Sequence, residues 1–344
     1  MENVPVLDLS GDTAKAVETM DQALREYGFF YVTNHGVDPA LVQQQFDTAA
    51  ELFALPQDQK DLMPFDPQLD IGYVGRGVQS LDPDGTVQPS GDTKEQFMMT
   101  NNRLISDPTF STDPTNVFQG SQNYTPPNVP SFAEMTRAYG SALFRLNQQL
   151  NDILFQALKL GNHDSDNDSN SDNGTTDAET ESSTRVALGK EPFVVLKQMR
   201  YAGEPSDPGK GKFGAGAHTD WGSFTILATD NTPGLEIFLP KNESWLPVPP
   251  RPGMFIINSG DQIAQLTNDV YKSALHRVVT LSTKPRYSIA FFTYFGVHAK
   301  VGPLAKFVTP QQPAAYPHRT TLEHFHFKLH ESMGVGVVST AASG

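Results

Sequence analysis

Residues 215–227 read AGAHTDWGSFTIL. Small residues lead into His218 and Asp220, two positions apart, and an apolar run begins at Phe224. Read as part of one strand over 216–230, the stretch puts His218 and Asp220 on the same face, because alternate side chains of a strand point the same way. Around it lie further short apolar segments punctuated by Gly, Pro and Asn: PFVVLKQMRYA (192–202), GLEIFLP (234–240), WLPVPP (245–250), MFIINSG (254–260), SALHRVVTL (273–281) and RYSIAFFTYFG (286–296). Short strands at this close spacing predict an antiparallel barrel or a double-sheet jelly roll. Apolar residues at helical spacing predict helices over 12–28, 39–55, 131–160 and 320–334. The expected fold class is α+β, one of these two cores with flanking helices.

On this reading the chain divides into an N-terminal region of helices and strands (1–160), an acidic insertion (161–184), a catalytic core (185–300) and a C-terminal closing helix and tail (301–344). The insertion carries seven acidic residues and no Lys or Arg, too few apolar groups to offset its ordering entropy, so it is expected to be a disordered surface loop. Within it Asp168, Asn170, Asp172 and Glu179 fall at calcium-loop positions, but Asn173 stands where that loop needs Gly. No calcium site is expected there.

The absence of Cys excludes disulfides, thiolate zinc sites and cysteine nucleophiles, so any metal is held by nitrogen and oxygen. A net charge of -14 excludes nonspecific binding to nucleic acid or anionic membranes, which need a basic face. No apolar run approaches the roughly 18 to 20 residues that span a bilayer, and the opening MENVPVLDLSG has no leader pattern; a cytoplasmic protein is expected. Three features are set aside. GKGKFG (209–214) opens a strand and not a helix, so it offers a phosphate no helix N-terminus. His326 and His330 lack an evident third ligand, and His35 has no local acidic or nucleophilic partner.

The chemistry gathers around His218 and Asp220. In SALHRVV, His276 sits on another apolar strand and supplies a third ligand. Two neutral imidazoles and one carboxylate form the facial triad of non-haem Fe(II) oxygenases, which leaves adjacent coordination positions open. Zinc prefers four ligands, which leaves little room for a chelating cosubstrate and oxygen together, and no Glu base for a zinc hydrolase stands beside the triplet. In KPRYSIAFF, Arg286 and Ser288 share one strand face. A guanidinium directed into a barrel must meet an anion, and a carboxylate gripped by the Arg fork and the Ser hydroxyl meets that need.

With these motifs the chain resembles the Fe(II)/2-oxoglutarate-dependent dioxygenases of the isopenicillin N synthase-like group, including microbial members such as thymine 7-hydroxylase. The likeness covers nearly the whole length: VPVLDLSG, GFFYVTNHGV, LFALPQDQK and DTKEQF in the N-terminal part, and AHTDWGSFTIL, INSGDQI, LHRVV and RYSIAFF in the catalytic part. The resemblance implies an α+β fold with a double-stranded β-helix (jelly-roll) core and flanking helices. It also implies that His218, Asp220 and His276 bind Fe(II), that Arg286 and Ser288 bind the distal carboxylate of 2-oxoglutarate, and that the Tyr201 hydroxyl reaches the same carboxylate. The segment around Tyr201 departs from the group's N-Y-Y-P pattern, with Met199 for the Asn and Ala202 for the Pro. The implied reaction consumes O2 and 2-oxoglutarate, releases succinate and CO2, and oxidises a C–H bond of a small organic molecule with no catalytic residue beyond the metal centre. Hydroxylation, desaturation and cyclisation are all open, as is the oligomeric state. So are two other readings: an Fe(II) oxidase of the same fold that uses no 2-oxoglutarate, and an inactive ligand-binding protein.

The substrate is expected against the open face of the iron. Phe97, Met99, Phe213, Phe292, Tyr294 and Phe325 are the candidates to line its pocket, which favours an apolar or aromatic molecule.

Overall fold

The computed structural model describes residues 3–66, 69–78, 91–100, 124–160, 184–190 and 192–332, the last without the side chains of 330–332. In chain order the main strands are β1 (Val6–Asp8), β2 (Phe29–Thr33), β3 (Gly72–Val74), β4 (Lys94–Thr100), β5 (Pro192–Tyr201), β6 (Ala215–His218), β7 (Phe224–Thr229), β8 (Leu235–Leu239), β9 (Ser244–Pro247), β10 (Phe255–Ser259), β11 (His276–Val278) and β12 (Arg286–Gly296). The larger sheet has the order β1-β2-β10-β7-β12-β5-β4-β3, and the smaller one β6-β11-β8-β9. Only β1 and β2 run parallel among the pairs of the larger sheet. The N-terminal strands therefore extend the same sheet that carries Arg286.

Helices cover the outer face of the larger sheet. They are α1 (Thr13–Glu26), α2 (Pro39–Ala54), α3 (Gln57–Lys60) and α4 (Phe132–Ala157). The first two start where capping chemistry places them: Asp12 accepts from the Ala14 amide, and Asp38 accepts from the Ala40 amide with Pro39 following. Leu143, Leu146 and Leu150 of α4 share one buried cluster with Leu196, Ile226, Ile289 and Phe291. His35 is structural: the Val37 amide donates to its Nδ1, and its Nε2 lies 3.2 Å from the Gly253 carbonyl oxygen. Three further helices follow, α5 (residues 184–189), α6 (Asp261–Leu266) and α7 (Thr321–Ser332). No helix among the described residues is long and apolar enough to cross a membrane.

The stretch that opened the sequence reading is not one strand. β6 ends at His218 and β7 begins at Phe224, and the two lie in different sheets. Residues 219–223 cross between the sheets, so Asp220 sits in a turn and not on the strand face expected for it. Gly222 makes the crossing possible: a Cβ there would stand 2.1 Å from the Thr293 carbonyl oxygen. The turn is clasped from outside. The Asp261 amide donates to the Asp220 carbonyl (2.7 Å), the Gly260 amide to Ser223 (2.7 Å) and the Ser223 amide to Thr293 (2.7 Å). Gly260 is as constrained, since its Cβ would meet the Gly222 carbonyl oxygen at 2.4 Å.

The acidic insertion through residue 183, with Asp168, Asn170, Asp172 and Glu179, lies outside the described residues, as does the side chain of His330. GKGKFG runs from a turn at Pro208–Lys210 through a left-handed Gly211 (φ 67°) into β6, with no helix for a phosphate.

Gly222→Ala is expected to destabilise the protein by about 2 kcal/mol or more, because the atom a Cβ would meet belongs to the Thr293 backbone, which cannot swing aside as a flexible side chain would. Gly189→Ala, where a Cβ meets nothing within 4 Å, should stay within about 0.5 kcal/mol of the parent. Denaturant titration of the two variants provides the comparison.

Candidate metal centre and cofactor cavity

The space between the two sheets is a cavity lined from both, by His218 and His276 of the smaller sheet and by Arg286, Ser288 and Phe292 of the larger. His218 at the end of β6 pairs directly across the ladder with His276 at the start of β11. Their rings lie 4.2 Å apart. Asp220 arrives from the crossing turn, and one ligand atom from each of the three residues lies within 4.8 Å of the other two.

Hydrogen bonds settle what each atom can do. His218 Nδ1 lies 2.8 Å from the Gly216 carbonyl oxygen, and His276 Nδ1 lies 3.0 Å from that of Ala274. A carbonyl only accepts, so both Nδ1 atoms carry the hydrogen, and in that tautomer each ring presents an Nε2 lone pair. Burial, followed by the neighbouring His276, pushes the His218 pKa down to about 3 against the pull of Asp220. Burial would raise the Asp220 carboxyl, yet His276, His218, Asn258 and Thr225 together hold it below the usual carboxylate range. Its Oδ2 accepts from Thr225 Oγ1 (2.5 Å) and Asn258 Nδ2 (2.6 Å). Oδ1 is left facing the two Nε2 atoms at 3.8 and 3.7 Å.

Three acceptors thus converge with no hydrogen between them. The gaps exceed hydrogen-bond range, and lone pairs facing a carboxylate repel. A cation between them turns that repulsion into coordination, so the donor set fits a metal ion, with imidazole and carboxylate suited to ferrous iron.

Arg286, Ser288 and Tyr201 line the same cavity on adjacent strands, with Arg286 opposite Tyr201 and Ser288 opposite Met199. Arg286 Nε donates to the Thr232 carbonyl at 3.1 Å, and the guanidinium lies 4.8 Å from the centre of the Tyr201 ring. Its Nη1 and the Ser288 Oγ are buried with no hydrogen-bond partner. Two orphaned polar groups side by side fit an anionic ligand such as a carboxylate, because leaving them unpaired costs about 1–3 kcal/mol each. The Tyr201 hydroxyl rests 3.8 Å from Met199 Sδ, the residue that replaces the family's Asn.

The aromatic candidates divide by strand parity. Phe292 and Tyr294 line the cavity; burial, with Asp70, Asp220 and Asp261, keeps the Tyr294 phenol well above its ordinary pKa. Phe97 and Met99 do not, because Lys94 and Gln96 take the inward positions of β4 and turn their neighbours to the α2 and α4 side. Phe213 is also outside the lining and packs beneath the Arg277 guanidinium, 5.3 Å away. Phe325 of α7 stands behind the wall, its ring edge-on to Phe193 and Tyr294.

Sequence reasoning missed Trp221, Lys197, Lys94 and Asn258, all in the lining. A signal existed for two of them: Lys197 and Asn258 are polar residues that directly follow the apolar runs FVVL and FII. Asp92 was missed as well. It pairs with Lys94, and its Oδ1 accepts from the Gly216 amide at 3.0 Å, the same residue whose carbonyl orients His218.

Known proteins resemble the chain along most of its length. The model of the 2OG-Fe(II) oxygenase superfamily matches residues 192–294, and that of the non-haem dioxygenase in morphine synthesis N-terminal region matches 4–124. The 2-oxoglutarate-dependent dioxygenase citB of Monascus ruber is 30% identical over 305 residues, covering 86% of this chain and 84% of that protein. Clavatol oxidase claD of Penicillium crustosum is 29% identical over 84% of this chain and 82% of its own. Among solved structures, JOX2 in complex with 2OG, Fe and JA superposes with a TM-score of 0.72 at 26% identity, over 97% of this chain and 86% of that one. The full-length Neurospora crassa thymine 7-hydroxylase in complex with alpha-KG and thymine shares the fold at a TM-score of 0.74 and 21% identity, over 95% and 96% of the two chains.

Asn258→Ala should weaken Fe(II) binding roughly 10- to 100-fold while leaving the fold intact, because the partners of a ligating carboxylate tune its affinity. Anaerobic metal titration measures this, and unchanged affinity would show that Asn258 does not orient Asp220.

Proposed function

Because the chain belongs to the 2OG-Fe(II) oxygenase superfamily, we propose that His218, Asp220 and His276 hold its iron and that Arg286 and Ser288 anchor the distal carboxylate of its 2-oxoglutarate. The protein is a 2-oxoglutarate-dependent Fe(II) dioxygenase, an oxidoreductase acting on a small organic molecule. Bound together, iron and 2-oxoglutarate would supply the activation of O2, the oxidant, which takes two electrons from 2-oxoglutarate as it goes to succinate and CO2 and two from a substrate C–H bond. The observation that supports the residue assignment is the meeting, in one cavity, of three convergent lone pairs with the orphaned Arg286 Nη1 and Ser288 Oγ.

The chain's own part is binding, orientation and exclusion of water. The Gly216 and Ala274 carbonyls fix both imidazole tautomers, and Thr225 with Asn258 turns a single Asp220 oxygen toward the metal. Tyr201 packs against the Arg286 guanidinium and limits where its free nitrogen points. Beyond the metal, Trp221, Phe292 and Tyr294 form an aromatic wall, which supports an apolar or aromatic substrate. The net charge of -14 supports a small molecule over a nucleic acid.

His218→Ala or His276→Ala should abolish succinate release with the circular dichroism spectrum unchanged. Arg286→Ala is expected to raise the 2-oxoglutarate requirement roughly 10- to 100-fold, the loss of a charge-assisted hydrogen bond, and Arg286→Lys to recover part of it, since Lys lacks the fork. Full activity in His218→Ala, or turnover without stoichiometric succinate, would contradict the assignment.

A further inference from the structure

We infer that the substrate is an aromatic molecule carrying an ionised oxygen acid, and that Lys197 recognises that group. The inference rests on the reading of this cavity as the substrate and cosubstrate site. Lys197 lies on β5, directly after the apolar run PFVVL. Its side chain is 14% exposed, and its ammonium stands 3.3 Å from Asp70 Oδ2, a carboxylate that is itself 4% exposed.

A buried ion pair of this kind adds little stability over a well-packed apolar pair, so its placement needs another account. Lys197 lines the cavity and Asp70 does not. The positive end faces inward and the negative end is walled off. Lys94 and Asp92 repeat the arrangement one strand away, with Lys94 in the lining and Asp92 behind it. Setting the His residues aside, the charged groups among the described lining residues are Lys94, Lys197, Arg286 and Asp220. Asp220 serves the metal and Arg286 the cosubstrate, which leaves the wall with a cationic excess.

Strand register tells the two lysines apart. Lys94 is opposite Tyr201, in the same row as Arg286, at the cosubstrate end. Lys197 is opposite Ala290, next to Phe292 on the way to Tyr294. Its ammonium lies 5.5 Å from the centre of the Phe292 ring and 6.0 Å from that of Trp221, the residue following Asp220. An ammonium has three donors, and Asp70 engages it from one side only. A ring seated along Trp221, Phe292 and Tyr294 would bring an attached carboxylate or acidic phenolate to the remaining donors, close to the metal. A cationic substrate would meet Lys197 with no carboxylate among the described lining residues to receive it except Asp220, which serves the metal.

The test is calorimetric, on protein loaded anaerobically with Fe(II) and 2-oxoglutarate, using naphthalene-2-carboxylate, its neutral carboxamide and the corresponding aminomethyl cation as probes. The carboxylate should bind about tenfold or more tighter than the carboxamide, as expected for a hydrogen bond to a charged group, and the cation should bind weakest. Lys197→Arg should keep that preference. Lys197→Met combined with Asp70→Asn removes both charges and leaves no unpaired carboxylate to threaten folding; there the preference should fall to about threefold or less. Equal binding of the probes, absence of carboxylate binding, or an unaltered preference in the double variant would overturn the inference. In the double variant 2-oxoglutarate should bind as in the parent. Failure of the parent itself to bind 2-oxoglutarate would overturn the reading of the cavity, and the inference with it.

Discussion

Three acceptor atoms, two imidazole nitrogens and one carboxylate oxygen, are held face to face where no hydrogen can relieve them, and much of the surrounding structure exists to keep them there. Left to themselves, the lone pairs would separate. The smaller sheet prevents this for the histidines by pairing residue 218 directly with residue 276. The crossing turn prevents it for Asp220, because glycines at 222 and 260 admit backbone where any side chain would collide. Local repulsion of this sort persists only when its surroundings over-determine it, as is usual at functional sites.

The same economy governs charge. Strand β4 sends Lys94 and Gln96 into the cavity while Glu95, one residue along, turns outward. There Glu95 receives Tyr73 Oη (2.7 Å), Lys60 Nζ (3.0 Å) and Arg200 Nη1 (2.5 Å), which outweigh burial and keep its carboxyl below the usual range. That network fastens the β3–β4 edge to α3 and β5. One short strand therefore shapes the cavity with its even residues and anchors the sheet with its odd ones.

This alternation also explains what could be read from sequence. Capped helices, apolar strands such as β12 and the long α4 announce themselves through local periodicity, and so their bounds were legible. The three convergent residues and the Arg-Ser pair were legible because their types are few and their chemistry narrow. The crossing turn was not: AGAHTDWGSFTIL alternates well enough to pass for a strand, and only contacts from Thr293 and Gly260, distant in sequence, break it in two. The parity of β4 was hidden for a related reason. KEQFMMT has polar and apolar residues that suit either face, and the choice is made by the polar cavity on one side and the packed helices on the other. Lys197 escaped notice because a charge on a strand acquires meaning only when its partner Asp70, far away in the chain, proves to be behind the wall.

The central claim is that one ferrous ion and one 2-oxoglutarate share this cavity. Anaerobic addition of 2-oxoglutarate to the Fe(II)-loaded protein, followed by visible absorption, addresses it most directly. A weak charge-transfer band that needs both components and saturates at one equivalent of each is the expected result. A spectrum that stays featureless at saturating Fe(II) and 2-oxoglutarate would contradict the account.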